Sequence, residues 1–79
     1  MVTVRLFAAA AEAAGTDQAQ VSATTVGELR TRLVEAFGDG LERVLRQCAI
    51  VVAGHRSEDD AAAIPDHAIV DVLPPFAGG

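Results

Sequence analysis

Seventy-nine residues confine the chain to one domain (1–79) with one core, because a domain usually takes about 100–200 residues. With 51% apolar and 22% charged residues the composition is that of a folded globular chain and not of a disordered one. A net charge of −5 argues against nucleic acid or anionic lipid as partners, since both are held by clustered cations. Alanine supplies 16 of the 40 apolar residues, leaving 10 Val, 6 Leu, 3 Ile and 3 Phe as the bulky ones. That suffices for one sheet covered by one or two helices, and not for an enclosed pocket around a large ligand. All six cations are arginines (5, 30, 32, 43, 46 and 56), which together with the alanine content fits a GC-rich genome. The chemical consequence is that no side-chain amine is present to be acylated.

Met1–Phe7 alternates, with Val2, Val4 and Leu6 on one face and Thr3 and Arg5 on the other, which predicts a half-buried strand. Ala8–Ala14 has high helix propensity and Gly15 suits its C-terminal cap. Gln18–Thr24 reads as a second strand whose polar character suits a sheet edge. Thr25-Val-Gly-Glu28 matches a capping box, and Val26, Leu29, Leu33 and Phe37 then form one apolar stripe that Gly38 ends. Asp39 is the expected cap of a second short helix reaching Arg46, with Leu41, Val44 and Leu45 as its buried face. Ala49–Ala53 predicts an interior strand, Gly54 to Asp66 a loop, and Ile69–Leu73 a last strand with Val70 and Val72 facing one way.

An amphipathic helix between strands must lie across one face of a single sheet. With both terminal strands well patterned, the packing expected is a mixed α+β sheet of four to five strands whose first and last strands run parallel side by side. That architecture is the β-grasp, or ubiquitin-like, roll, with one long and one or two short helices.

The longest apolar runs, Leu6–Ala11 and Cys48–Ala53, have six residues each, whereas a membrane span needs about 20. No secretion signal is recognisable, and a single cysteine forms no internal disulfide, so a cytoplasmic setting is expected. His55 and His67 stand isolated in predicted loops and are read as surface residues; no metal site is expected. Glu58-Asp59-Asp60 is read as a solvated loop, and Cys48 as a small buried hydrophobe with no cation or histidine beside it in sequence. No Walker loop and no Gly-x-Ser-x-Gly is present, so no catalytic side chains are expected.

The chain's chemistry is therefore sought at its C-terminus, Leu73-Pro-Pro-Phe-Ala-Gly-Gly79. Two prolines after a strand stop pairing and favour extended backbone. Phe76 is an aromatic beyond the last strand, and Ala77, Gly78 and Gly79 follow with almost no side-chain bulk. The six residues from Pro74 can reach about 20 Å, so a slender, flexible tail (74–79) with a bare carboxylate at its tip is expected.

The chain resembles the small, sulfur-carrier subunit of molybdopterin synthase. The resemblance rests on Leu6-Phe7-Ala8, Glu12 and Gly15-Thr16-Asp17, on Thr25-Val26-x-x-Leu29-Arg30, and most specifically on Pro74-Pro75-Phe76-Ala77-Gly78-Gly79. It departs from that family at Ala11, where arginine is usual, and at Asp66-His67-Ala68, where Gly-Asp-Glu is usual. The resemblance implies that Gly79 is the working residue: an E1-like adenylating enzyme activates its carboxyl with ATP, a sulfur donor protein converts it to a thiocarboxylate, and the sulfur passes to cyclic pyranopterin monophosphate in the large subunit. It implies a heterotetramer with that large subunit and no tightly bound cofactor. Leu73, Pro75 and Phe76 are the expected apolar anchor, with Ala77 and Gly78 inserted behind them. Other readings are a carrier of the same fold for thiamine, cysteine or tRNA thiolation, a ubiquitin-like protein modifier, and a plain interaction module.

Overall fold

The computed structural model describes residues 1–75. Strand β1 (Val2–Leu6) buries Val2, Val4 and Leu6 and turns Thr3 and Arg5 outward, as a two-residue side-chain period requires. Helix α1 (Ala9–Ala14) ends at Gly15, whose φ of 76° is left-handed and whose N–H donates to the Ala11 carbonyl. Ala8, expected inside this helix, instead precedes it at φ 50° and ψ −123°. The chain turns there directly out of β1, while the Phe7 N–H still donates to the Val72 carbonyl at 3.3 Å.

Strand β2 (Gln18–Val21) is an edge strand and stops short of the expected Thr24. Beyond it the chain peels away: the Ile64 N–H donates to the Thr24 carbonyl at 2.8 Å, and Thr25 forms an antiparallel bridge with Ala63. Helix α2 (Val26–Phe37) starts there. Thr25 Oγ1 accepts from the Glu28 N–H at 3.1 Å, but the Glu28 carboxylate accepts from the N–H of Thr24 at 2.7 Å, one residue earlier than a regular capping box. Two orphan amides of this first turn, Val26 and Gly27, donate to the carbonyls of Ala62 and Asp60 at 3.0 and 2.9 Å. Val26, Leu29 and Leu33 are fully buried, and Phe37 packs half-buried against the same core.

Helix α3 (Asp39–Leu45) buries Leu41 and Leu45. Asp39 is not its cap. Gly38 takes that place at φ 88° without a side-chain bond, and Asp39 becomes the first helical residue, where its charge faces the amide end of the helix. Strand β3 (Ala49–Val52) is interior as expected. The segment read as a loop from Gly54 to Asp66 contains a further strand, β4 (His55–Ser57), so His55 sits on a strand. Ala53 and Gly54, both with positive φ at 48° and 85°, make the tight turn that folds β4 back onto β3. Backbone pairing, not apolar side chains, is what creates this strand.

Strand β5 (Ile69–Leu73) completes one five-stranded sheet in the order β2-β1-β5-β3-β4. β1 and β5 are parallel, with Val4 abreast of Val70 and Leu6 of Val72; the other pairs are antiparallel. Val70 and Val72 face the core, and Ile69, Asp71 and Leu73 face the other way. Leu29, Leu33 and Leu41 from the helices close on Val4, Ile50 and Val70 from the sheet. Each such buried side chain stabilises the fold by about 1.5–3 kcal/mol. This is the β-grasp, ubiquitin-like fold.

Candidate functional site

The candidate site is the place where the chain leaves the sheet. β5 lies between β1 and β3, and its last residue, Leu73, stands opposite Ala49. Pro74 and Pro75 have no N–H to offer a ladder, so pairing ends there. Pro74 is buried and Pro75 exposed, and Leu73 is half-buried. The two prolines form one wall of an open groove of about 180 Å³, completed by Ala9 of α1 and by Arg43, Val44 and Gln47 of α3 and the turn after it. Of the residues expected to work together, Leu73 and Pro75 are thus placed at this exit. Phe76, Ala77, Gly78 and Gly79 lie outside the described residues.

Arg43, Val44 and Gln47 were not recognisable as site residues in the sequence. In α3 only Leu41, Val44 and Leu45 carry a periodic signal, and that signal reports burial. Nothing local shows that the helix end packs beside Pro74.

The remaining chemistry-bearing residues are dispersed. His55 is exposed on the edge strand β4. His67, at a positive φ of 65°, has Nε2 3.4 Å from the carboxylate of Asp66. The acidic run points to separate partners: Glu58 to Arg56 at 3.0 Å, Asp60 to Arg30 at 3.2 Å, and Asp59 Oδ1 accepting from the Ala61 N–H at 2.9 Å. Among the described residues no three of His, Cys, Asp and Glu gather in a way that could hold a metal ion. No helix of the described residues is long and apolar enough to cross a membrane.

Cys48 is half-buried, and its thiol donates to the Val44 carbonyl at 3.1 Å. Burial pushes its pKa up, and the charge of Arg30, distant in sequence, opposes this only in part. Such a thiol is protonated and a poor nucleophile at neutral pH. Arg30 itself links two segments, donating from Nη1 to the Leu45 carbonyl at 3.1 Å while Nε faces Asp60.

The sheet face away from the helices is open, with Ile69 and Phe7 exposed at 49% and 37%. These are isolated apolar side chains around the ion pair of Arg5 and Asp71.

A ubiquitin-like roll whose central last strand ends at two prolines places the chain in a class: small β-grasp domains of the sulfur-carrier and ubiquitin-like-modifier kind. The chain belongs to the ThiS family, whose model matches residues 4–79. Among solved structures it is similar to the small archaeal modifier protein SAMP1 from Haloferax volcanii, with 27% identity, 99% of this chain and 98% of that one covered, and a TM-score of 0.83. It is also similar to a chain in the complex of subunits 1 and 2 of molybdopterin-converting factor from Helicobacter pylori, with 29% identity, 99% and 97% covered, and a TM-score of 0.74. A chain of the BexX/CysO complex from Amycolatopsis orientalis shares the fold at a TM-score of 0.84 over 100% of both chains, with 20% identity. No curated protein matches the chain.

Proposed function

We propose that this protein is the sulfur-carrying small subunit of molybdopterin synthase. The observation that carries the reading is the sequence Pro74-Pro75-Phe76-Ala77-Gly78-Gly79 placed directly after the central strand of a β-grasp sheet. The likeness to a chain of the Helicobacter pylori molybdopterin-converting factor supports it, and the presence of subunit 2 in that structure supports a partner subunit here.

A carboxylate is a poor electrophile, so the terminus needs activation. An oxygen of the Gly79 carboxylate attacks the α-phosphorus of ATP on a separate E1-like enzyme, and pyrophosphate leaves. The terminal sulfur of a persulfide on a donor protein then attacks the acyl carbon of the adenylate, and AMP departs with the oxygen. A second thiol attacks the donor's own sulfur in the acyl disulfide, forming a disulfide and releasing the tail. The resulting thiocarboxylate is anionic near neutral pH, a nucleophile by virtue of its own low pKa. Its sulfur attacks a carbon of the pterin precursor in the large subunit and an oxygen leaves that carbon. Water then cleaves the thioester so formed, returning the Gly79 carboxylate and leaving sulfur on the product. Two such rounds supply both dithiolene sulfurs. Leu73, Pro75 and Phe76 anchor the carrier while Ala77, Gly78 and Gly79 enter the active site.

The test is intact-mass measurement of protein purified from its own organism, in which one oxygen replaced by sulfur is expected. With the large subunit, that form converts cyclic pyranopterin monophosphate, while Gly79→Ala or one residue added after Gly79 abolishes transfer and leaves the melting temperature unchanged. Full activity of the extended protein overturns the reading.

The likeness to SAMP1 favours a second reading, attachment of Gly79 to other proteins as a modifier. Covalent adducts in the intact-mass experiment, with no sulfur exchange, decide for that reading.

A further inference from the structure

Five of the six arginines face a carboxylate: Arg5 with Asp71 at 2.6 Å, Arg30 with Asp60 at 3.2 Å, Arg32 with Glu35 at 3.2 Å, Arg46 with Glu42 at 2.6 Å and Arg56 with Glu58 at 3.0 Å. Among the described residues Arg43 is the exception, although acidic residues outnumber cations by 11 to 6. It is exposed and lines the groove whose other wall is Pro74 and Pro75. Its place in the last turn of α3 suits the carbonyl end of that helix, but this accounts for the charge and not for the missing partner.

We infer that this groove docks a segment of the enzyme that adenylates Gly79, a segment whose acidic side chain pairs with Arg43 while an apolar neighbour fills the space between Ala9, Val44 and Pro74. The inference rests on the carrier reading above and adds to it a surface. Charge complementarity selects an acidic occupant: an anionic chain that has matched its other cations internally leaves this one for another molecule. Position selects the activating enzyme. The groove is walled by the first two residues of the tail, and the six residues from Pro74 to Gly79 reach at most about 20 Å. A protein that grips the groove therefore fixes the root of the segment whose tip it must activate, and every fate of the terminus begins with that activation.

The experiment uses the full chain, the adenylating enzyme of the same genome and ATP, with pyrophosphate release followed against carrier concentration. Arg43→Glu is expected to raise KM for the carrier about tenfold or more, with kcat within about twofold. Arg43→Gln raises it less. Gln47→Glu, which supplies the groove with its own carboxylate, also raises KM. Added salt weakens the wild type, has little effect on Arg43→Gln, and lowers the raised KM of Arg43→Glu by screening the repulsion. A KM for Arg43→Glu within about twofold of wild type at low salt overturns the inference while the carrier reading stands. If circular dichroism shows Arg43→Glu unfolded, Gln47→Glu decides by the same criterion. A wild-type chain that releases no pyrophosphate overturns the carrier reading itself, and the groove assignment falls with it.

Discussion

Arg5 and Asp71 stand abreast on the parallel strands β1 and β5, and the guanidinium holds both carboxylate oxygens, Nε to Oδ1 at 2.6 Å and Nη2 to Oδ2 at 2.8 Å. The Phe7 ring centre lies 5.9 Å from the same guanidinium, within cation–π range. Hydrogen bonding and then charge from Asp71 raise the Arg5 pKa. A bidentate, planar contact of this kind restrains two neighbouring strands at the centre of the open face.

Arg5→Ala and Asp71→Ala should therefore show a favourable coupling in a double-mutant cycle of thermal unfolding, one that weakens at about 1 M salt, where the Debye length falls to about 3 Å. Additive single effects at low salt would show that the pair contributes nothing to the fold. Because Arg5 is exposed, the effect should be much smaller than that of any core truncation.

Leu29 is fully buried on α2 in the one core cluster. Leu29→Ala should cost about 2–5 kcal/mol, through lost transfer energy and the cavity left behind. A domain of this length has a total stability on the order of 4–12 kcal/mol, so the variant should show a large fall in midpoint by urea titration. A loss under about 1 kcal/mol would mean that the helix does not pack on the sheet as described.

Gly27 lies in the first turn of α2, and a Cβ there would come within 3.1 Å of the Asp60 Cβ and 3.2 Å of its carbonyl oxygen. Alanine is preferred to glycine in helix interiors by about 1 kcal/mol, but here the contact opposes that gain. The same Asp60 carbonyl accepts from the Gly27 N–H at 2.9 Å, so the 60–62 segment must shift to make room. Gly27→Ala is expected to lower the melting temperature and speed hydrogen exchange at position 27. A variant more stable than the wild type would show that the clasp yields without cost.

The Met1 ammonium donates to Asp66 Oδ1 at 2.7 Å. That bond first, and then the charge of the neighbouring His67, holds the Asp66 carboxyl below the usual aspartate range. With a folded pKa depressed below the unfolded one, the contribution to stability is present above the ordinary aspartate pKa and is lost as pH falls through the lowered value. A carboxyl NMR titration should give a low midpoint for Asp66 that moves up when the α-amine is acetylated. An unmoved midpoint after acetylation would assign the depression to another cause.

Local periodicity made several elements readable. The alternation in β1 and β5 and the stripe of Val26, Leu29 and Leu33 follow from the geometry of one strand or one helix, and each found the face it predicts. The parallel pairing of β1 with β5 was also accessible, because two strongly patterned terminal strands and one amphipathic helix leave few ways to pack. The candidate tail was legible for a covalent reason: proline has no N–H and glycine no Cβ, whatever surrounds them.

β4 and the groove beside Pro74 were not readable in this way. His55-Arg56-Ser57 carries no apolar pattern, and it is a strand because the edge of β3 offers unpaired amides and carbonyls. The same cause draws Thr24 and Thr25 to Ala63 and Ile64, and shifts the Glu28 cap by one residue. Arg43 gains its meaning from a proline near the other end of the chain. Side-chain period and backbone chemistry are written within a few consecutive residues, whereas which donor is left unpaired, and beside what, depends on groups brought together by folding.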